Sequence, residues 1–120
     1  YYASRGLGDV YKRQRPIYDA LREQLCKEPV LHADETTLQV LKEPGRSSTS
    51  KSYMWLYRTS GCAKQAVVLY EYQPTRKSEH AETFLQGFSG WLHADGYQGY
   101  LYFDVLPWLN LFLRFCDDWR

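Results

Sequence analysis

The chain has 120 residues, which suits one domain or part of one, and its formal net charge of +1 counts mildly against a free-standing nucleic-acid binder. Its three cysteines are widely spaced, which argues against a disulfide framework and against a zinc site built from thiolates. No apolar run approaches the roughly 20 residues that span a bilayer, and the N-terminus lacks a signal-peptide pattern, so we expect a cytoplasmic protein without a membrane partner.

Residues 1–14 differ from the rest of the chain. They resemble a translated sequencing-adapter artefact, and we expect a non-native or disordered leader there, with a real N-terminal arm as the alternative. A helix is predicted from Pro16, whose missing N–H costs nothing in the first turn, to just before Pro29, which disfavours helical geometry in the preceding residue. Apolar residues recur every four positions along one face of this helix: Ile17, Leu21 and Leu25.

Three strands follow the predicted helix. Residues 30–41 form the first, and β-branched Thr36 and Thr37 support this prediction. Residues 42–51 are rich in Pro, Gly and Ser and predict a hairpin loop. Two further strands, residues 53–58 and 66–72, are separated by a short turn, so the three strands form an antiparallel meander.

A second helix begins at Ser78, where Glu79 and Glu82 suit the positive end of the helix dipole. Its apolar face consists of Ala81, Phe84, Leu85 and Phe88, and glycines at positions 87 and 90 end it. Residues 91–95 form a fourth strand, after which Gly96 allows a sharp turn. Hairpin strands followed by a helical crossover to a further strand indicate an α/β fold with a mixed sheet.

Asp34 and Asp95 are the candidate site residues, each in a His-Ala-Asp setting on or just after an apolar strand. Asp34 has the parity of Val30 and Leu38 on a strand that we interpret as core, where a carboxylate needs a partner or a metal. Two Asp residues from neighbouring strands could share Mg²⁺, which keeps its other positions for water and phosphate. The residues alone leave open that each Asp caps a turn or lies in solvent.

Several neighbouring residues have weaker interpretations. Glu35 follows Asp34, but strand alternation points it to the opposite face, which indicates a structural role. His32 and His93 are either packed histidines or groups that face a ligand such as DNA. Three basic residues are either phosphate contacts or solvated surface charges: Arg58, Arg76 and Lys77.

Four blocks of sequence resemble the central domain of the IS66-type insertion-sequence transposases, in matching order and spacing. The blocks are Leu-His-Ala-Asp-Glu-Thr-Thr-Leu-Gln-Val-Leu at 31–41, Tyr-Met-Trp-Leu-Tyr-Arg at 53–58, Ala-Glu-Thr-Phe-Leu at 81–85 and Gly-Trp-Leu-His-Ala-Asp-Gly-Tyr-Gln-Gly-Tyr at 90–100. The resemblance covers roughly residues 15–100. It implies an RNase H-like fold and the DDE mechanism, in which two Asp and one Glu hold metal ions that drive DNA strand cleavage and transfer.

The resemblance also implies roles for individual residues and partners. Asp34 corresponds to the first carboxylate and Asp95 to the second, with Mg²⁺ or Mn²⁺ as the cofactor. The implied partners are DNA, both transposon ends and target, in the bacterial cytoplasm, and oligomer formation by a full-length protein stays open.

The resemblance fades after Tyr100. We therefore expect residues 15–100 to be a partial RNase H-like core with an incomplete sheet, and residues 101–120 to be a divergent tail. No residue here can be assigned to the third carboxylate, and without it strand transfer by this chain alone should be lost. The alternative function is an inactive relic that binds DNA or a protein.

Overall fold

The computed structural model describes residues 2–95 and 110–114 as two helices and five strands. The elements are α1 (Tyr2–Cys26), β1 (Val30–Gln39), β2 (Lys51–Thr59), β3 (Val68–Gln73), α2 (Ser78–Phe84), β4 (Trp91–Asp95) and β5 (Asn110–Arg114). The turn predicted at Gly96 and most of the tail predicted at 101–120 lie outside the described residues. Neither described helix is long and apolar enough to cross a membrane.

The strands form one sheet in the order β3-β2-β1-β4-β5. β1, β2 and β3 pair antiparallel, which confirms the predicted meander, and β4 returns through α2 to pair parallel with β1. The sheet is therefore mixed and the fold belongs to the α/β class, as the sequence predicts. β5, which pairs parallel with β4, was not predicted, because its Asn-Leu-Phe-Leu-Arg sequence shows no polar alternation.

The hydrophobic core lies between α2 and one face of the sheet, which we call the covered face. Tyr57 of β2 is fully buried and stacks on Phe84 of α2, with 3.7 Å between ring centroids and 6° between ring planes. All four residues predicted for the apolar face of the second helix are buried: Ala81, Phe84, Leu85 and Phe88. α2 ends at Phe84, however, so the end predicted at Gly87 and Gly90 is wrong, and Leu85 and Phe88 follow the helix.

Helix α1 departs from the prediction in its start and in its packed face. It begins at Tyr2, so the start predicted at Pro16 is wrong, and Pro16 lies inside the helix. Residues 2–14 are part of α1; that they are a non-native leader stays a prediction. Of the predicted apolar face only Leu25 is buried, whereas Ile17 is 63% exposed and Leu21 is 40% exposed.

A polar anchor accounts for this change of face. The Arg22 guanidinium donates hydrogen bonds to the carbonyl oxygens of Phe84 (2.7 Å), Thr83 (3.2 Å) and Gln86 (3.0 Å). Thr83 and Phe84 lie in the last turn of α2 and Gln86 lies just after it, at the end of the helix where the helix dipole favours a cation. Arg22 therefore turns α1 so that Tyr18, one turn earlier, packs against the core instead of Ile17.

The opposite face of the sheet, which we call the open face, has no helix packed on it among the described residues. It carries the even-numbered residues of β1, β2 and β3 and the odd-numbered residues of β4. Large side chains are exposed there, including Tyr70 at 62% and Trp91 at 51%. An uncovered sheet face with exposed aromatic residues is typical of a surface that binds something.

Gly90 lets β4 approach β1. A Cβ atom at this position would lie 2.5 Å from the carbonyl oxygen of Pro29, which is too close for any side chain. The same Pro29 oxygen accepts a hydrogen bond from the Trp91 N–H at 2.9 Å. The missing side chain therefore allows the backbone contact with which the β1–β4 pairing begins.

Replacing Gly90 with Ala should destabilise the fold by about 1–3 kcal/mol, since the clash is with backbone that cannot rotate away. Urea unfolding monitored by tryptophan fluorescence measures this change. Gly61→Ala is the matched control, because nothing lies within 4 Å of a Cβ atom there. Equal stability of the two variants would contradict the close approach.

A group of polar atoms is buried on the covered face. Among the described residues, the side-chain oxygens Tyr18 Oη, Tyr57 Oη and Glu71 Oε2 are buried without a hydrogen-bond partner. Burial raises the pKa of the Glu71 carboxyl, and Gln73, which hydrogen-bonds to it, opposes this rise. Burial also raises the pKa of Tyr57, and the charge of Glu71 adds to that rise. The folded protein therefore binds the Glu71 proton more tightly than the unfolded chain does.

Stability should fall as pH rises from the ordinary Glu pKa of 4.5 through the higher pKa of folded Glu71, because the folded state binds this proton more tightly than the unfolded state. Glu71→Gln carries no charge and should remove this contribution, so its melting temperature should exceed that of the wild type increasingly from pH 4 to pH 8. Circular dichroism melts measure the difference. Glu82→Gln, at an exposed position of α2, is the control, and a constant difference for Glu71→Gln would contradict the prediction.

Candidate functional site

Asp34 and Asp95 line the same cleft on the open face of the sheet. The cleft has a volume of about 210 Å³, and we call it the acidic cleft. Its lining comes from β1, β2 and β4: His32, Ala33, Asp34, Leu56, Arg58, His93, Ala94 and Asp95. The structure therefore brings together the two carboxylates that the sequence singled out.

The register of β1 with β4 produces this arrangement. The two strands run parallel, with Leu31 opposite Leu92 and His32 opposite His93. Asp34 and Asp95 each lie two residues further along their strands, and because side chains alternate between faces, each Asp shares the face of its own His. Because both Asp residues follow the His32–His93 pair by two residues on parallel strands, both carboxylates lie at the same end of the sheet.

The interpretation of Asp34 as a residue on a core face is wrong. Leu31 and Ala33 are buried on the covered face, whereas Asp34 lies on the open face and is exposed. Asp34 accepts a hydrogen bond from the backbone N–H of Glu35 at 2.9 Å, which holds its carboxylate at the strand. Asp34 and Val30 do lie on the same side of β1, as predicted, but that side is the open face of the sheet.

His32 and His93 lie side by side in the acidic cleft. Their Nδ1 atoms are 2.8 Å apart and share a hydrogen bond, one donating and the other accepting. The rings meet edge to face, with centroids 4.7 Å apart. Burial, the neighbouring His93 and Arg58 together lower the pKa of His32. Sequence reasoning missed this contact, because the residues are 61 positions apart and only the parallel register joins them.

Glu35 points away from the acidic cleft, as strand alternation predicted. Its side chain is 1% exposed on the covered face, where the Arg76 Nε donates a hydrogen bond to Glu35 Oε1 at 2.8 Å and Arg76 Nη2 makes a second contact. A buried carboxylate paired in this way is expensive to leave without its partner. Glu35 therefore joins β1 to the segment before α2, which is the structural role expected from the sequence.

The three basic residues considered as phosphate contacts separate in the structure. Arg76 pairs with Glu35 on the covered face, and Lys77 is exposed at the N-terminal cap of α2. Arg58 of β2 lies opposite His32, is exposed and lines the acidic cleft. Of these three, Arg58 is therefore the one that lines the acidic cleft with the two carboxylates.

The donor atoms of the acidic cleft suit a hard divalent cation. Carboxylate oxygens are the ligands that Mg²⁺ and Mn²⁺ prefer, and Mg²⁺ binds to proteins through one or two carboxylates with water in its other positions. The exposed Asp34 and the partly buried Asp95 fit that requirement. Among the described residues, no group of three or more His, Cys, Asp or Glu could hold a metal ion.

Comparison with known protein families matches residues 3–106 to the Transposase IS66 family. The chain belongs to this family. The resemblance found in the sequence is confirmed, and the match extends past both limits of the 15–100 range given for it.

Two proteins of Sinorhizobium fredii (strain NBRC 101917 / NGR234) are similar to this IS66-family chain. The uncharacterized protein y4qI is 35% identical over 88 residues, which are 70% of this chain and 16% of y4qI. The uncharacterized protein y4jD is 34% identical over 91 residues, which are 72% of this chain and 17% of y4jD. The chain thus spans about a sixth of the length of these relatives.

Among solved structures, the crystal structure of the Mos1 strand transfer complex is similar over 76% of this chain and 39% of the Mos1 chain. The TM-score is 0.41 and the sequence identity is 12%.

Proposed function

We propose that Asp34 and Asp95 are the first two metal-binding carboxylates of a DDE-type transposase, and that the chain is part of the catalytic core of an enzyme that cleaves and transfers DNA strands in the bacterial cytoplasm. The supporting observation is the acidic cleft, in which the two carboxylates share one face of two neighbouring parallel strands. Membership of the IS66 family supports the reaction class.

The reaction is attack on a phosphodiester by water or by a 3′-hydroxyl group. Mg²⁺ or Mn²⁺, held by Asp34 and Asp95, would supply the positive charge that such an attack requires. The chain's own residues hold the cation and position the DNA backbone. Arg58 would bind a phosphate oxygen beside the carboxylates, and the water-exposed cleft admits the nucleophile.

The third carboxylate of the mechanism is a Glu for which the described residues offer no candidate. The proposed site is therefore two parts of a three-part site, in which the two Asp residues bind a cation weakly by themselves. We also retain as a proposal the division of the chain into a leader at 1–14, a partial catalytic core at 15–100 and a divergent tail at 101–120.

The purified chain should bind Mn²⁺ at the acidic cleft. Asp34→Asn or Asp95→Asn should weaken this binding by at least about tenfold, because loss of a residue that only hydrogen-bonds to a metal ligand already lowers metal affinity by about that factor. Electron paramagnetic resonance of free Mn²⁺ during a titration measures the affinity. Asp19→Asn is the matched control, because Asp19 is an exposed carboxylate on α1 that pairs with Arg15 away from the cleft.

If all three variants bind Mn²⁺ equally, the two-carboxylate site is wrong. That outcome would favour the alternative considered from the sequence, a catalytically inactive relic that acts at most as a DNA- or protein-binding module.

Arg58→Ala should weaken binding of duplex DNA by a similar factor for all sequences and should reduce the slope of log affinity against log salt by about one, as expected for the loss of one phosphate contact. Fluorescence anisotropy at several salt concentrations measures both quantities. Lys64→Ala, which removes an exposed charge from the β2–β3 connection, is the control. An unchanged slope for Arg58→Ala would contradict its role as a phosphate ligand.

A further inference from the structure

The open face of β1 and β4 consists of three matched pairs of residues in succession. Val30 lies opposite Trp91 and His32 lies opposite His93, and the next two residues on that face are Asp34 and Asp95. The acidic cleft lies on one side of the histidine pair, and a separate apolar pocket lined by Val30, His32, Trp91 and His93 lies on the other. The two imidazoles thus form the wall between the carboxylates and an apolar surface.

Backbone pairing of β1 with β4 ends at this histidine pair. The register holds from Val30 with Trp91 to His32 with His93, and β4 itself ends two residues later at Asp95. β1 continues to Gln39, paired on its other side with β2. The last position at which β1 and β4 are paired is therefore His32 with His93, and the separation of the Asp34 and Asp95 carboxylates depends on it. There the 2.8 Å hydrogen bond between the two Nδ1 atoms adds a side-chain contact to the backbone pairing.

We infer that the His32–His93 hydrogen bond sets the separation and orientation of the Asp34 and Asp95 carboxylates, which makes both histidines positioning residues of the metal site. This inference rests on the proposed function, since it concerns the same two carboxylates. A bond between two partly buried rings on adjacent strands resists both sliding and separation of the strands. Ligands that are already oriented bind a cation with less loss of freedom than ligands that must first be brought together.

The hydrogen bond itself has a direct spectroscopic signature. In the chain labelled with ¹⁵N at histidine, an N–H···N bond transmits a scalar coupling between the two Nδ1 nuclei. We expect this coupling between His32 and His93, and we expect none for His80, whose Nε2 instead contacts Thr75 Oγ1 at 2.7 Å. Absence of the coupling would overturn the inference.

The effect on the carboxylates is tested by Mn²⁺ affinity in paired variants. His93→Phe keeps a ring of similar size but removes the hydrogen bond, and it should weaken Mn²⁺ binding on the order of tenfold. His93→Asn keeps a polar atom at the position of Nδ1 and should restore most of the affinity. His80→Phe, on the covered face beside Trp55, is the control and should leave the affinity unchanged. Melting temperatures of all variants identify any loss caused by unfolding.

The outcomes separate the inference from the proposed function. If the wild type binds Mn²⁺ in a manner that depends on Asp34 and Asp95, but folded His93→Phe binds equally well, the metal site stands and the positioning role is wrong. A loss in His93→Phe that His93→Asn does not restore also overturns the hydrogen bond as the cause. If the wild type shows no binding that depends on the two Asp residues, the proposed function fails and the positioning role fails with it.

Discussion

The parallel pairing of β1 with β4 is the constraint on which the rest of the structure depends. It begins where Gly90 allows the backbone to approach Pro29 and extends to His32 opposite His93. This short contact joins the antiparallel meander, which is local in sequence, to the strand that returns after α2. Through this pairing, Asp34 and Asp95, which are 61 residues apart in the sequence, line the same cleft.

The two faces of the sheet have different environments. The covered face buries Trp55 and Tyr57 in the hydrophobic core and pairs Glu35 with Arg76. The open face carries the acidic cleft and exposed aromatic side chains. Because alternate residues of one strand serve opposite faces, adjacent carboxylates such as Asp34 and Glu35 have unrelated environments and roles. One is exposed to water at the cleft, and the other is buried in an ion pair.

Much of the fold and the identity of the site residues could be predicted, and the reasons are physical. The strands around Asp34 and Asp95 have clear apolar patterns, and β4 has the bounds predicted for it, from Trp91 to Asp95. The errors arose where a distant partner outweighed a local pattern. Pro16 indicates a helix start, but α1 continues through it. Ile17 fits a pattern of buried residues, but Arg22 binds the end of α2 and a different face of α1 packs on the core. β5 was missed because its apolar sequence has no alternation.

The sequence by itself determined which residues could bind a metal and which family the chain resembles, since both depend on residue type and on spacing along the chain. It also determined that Glu35 points away from Asp34, because alternation is a property of any strand. Only the tertiary structure decided that Asp34 lies on the open face, that Arg58 lines the cleft and that His32 contacts His93. These facts depend on which face the helices cover and on the register between strands that are 61 residues apart, and local sequence patterns contain neither quantity.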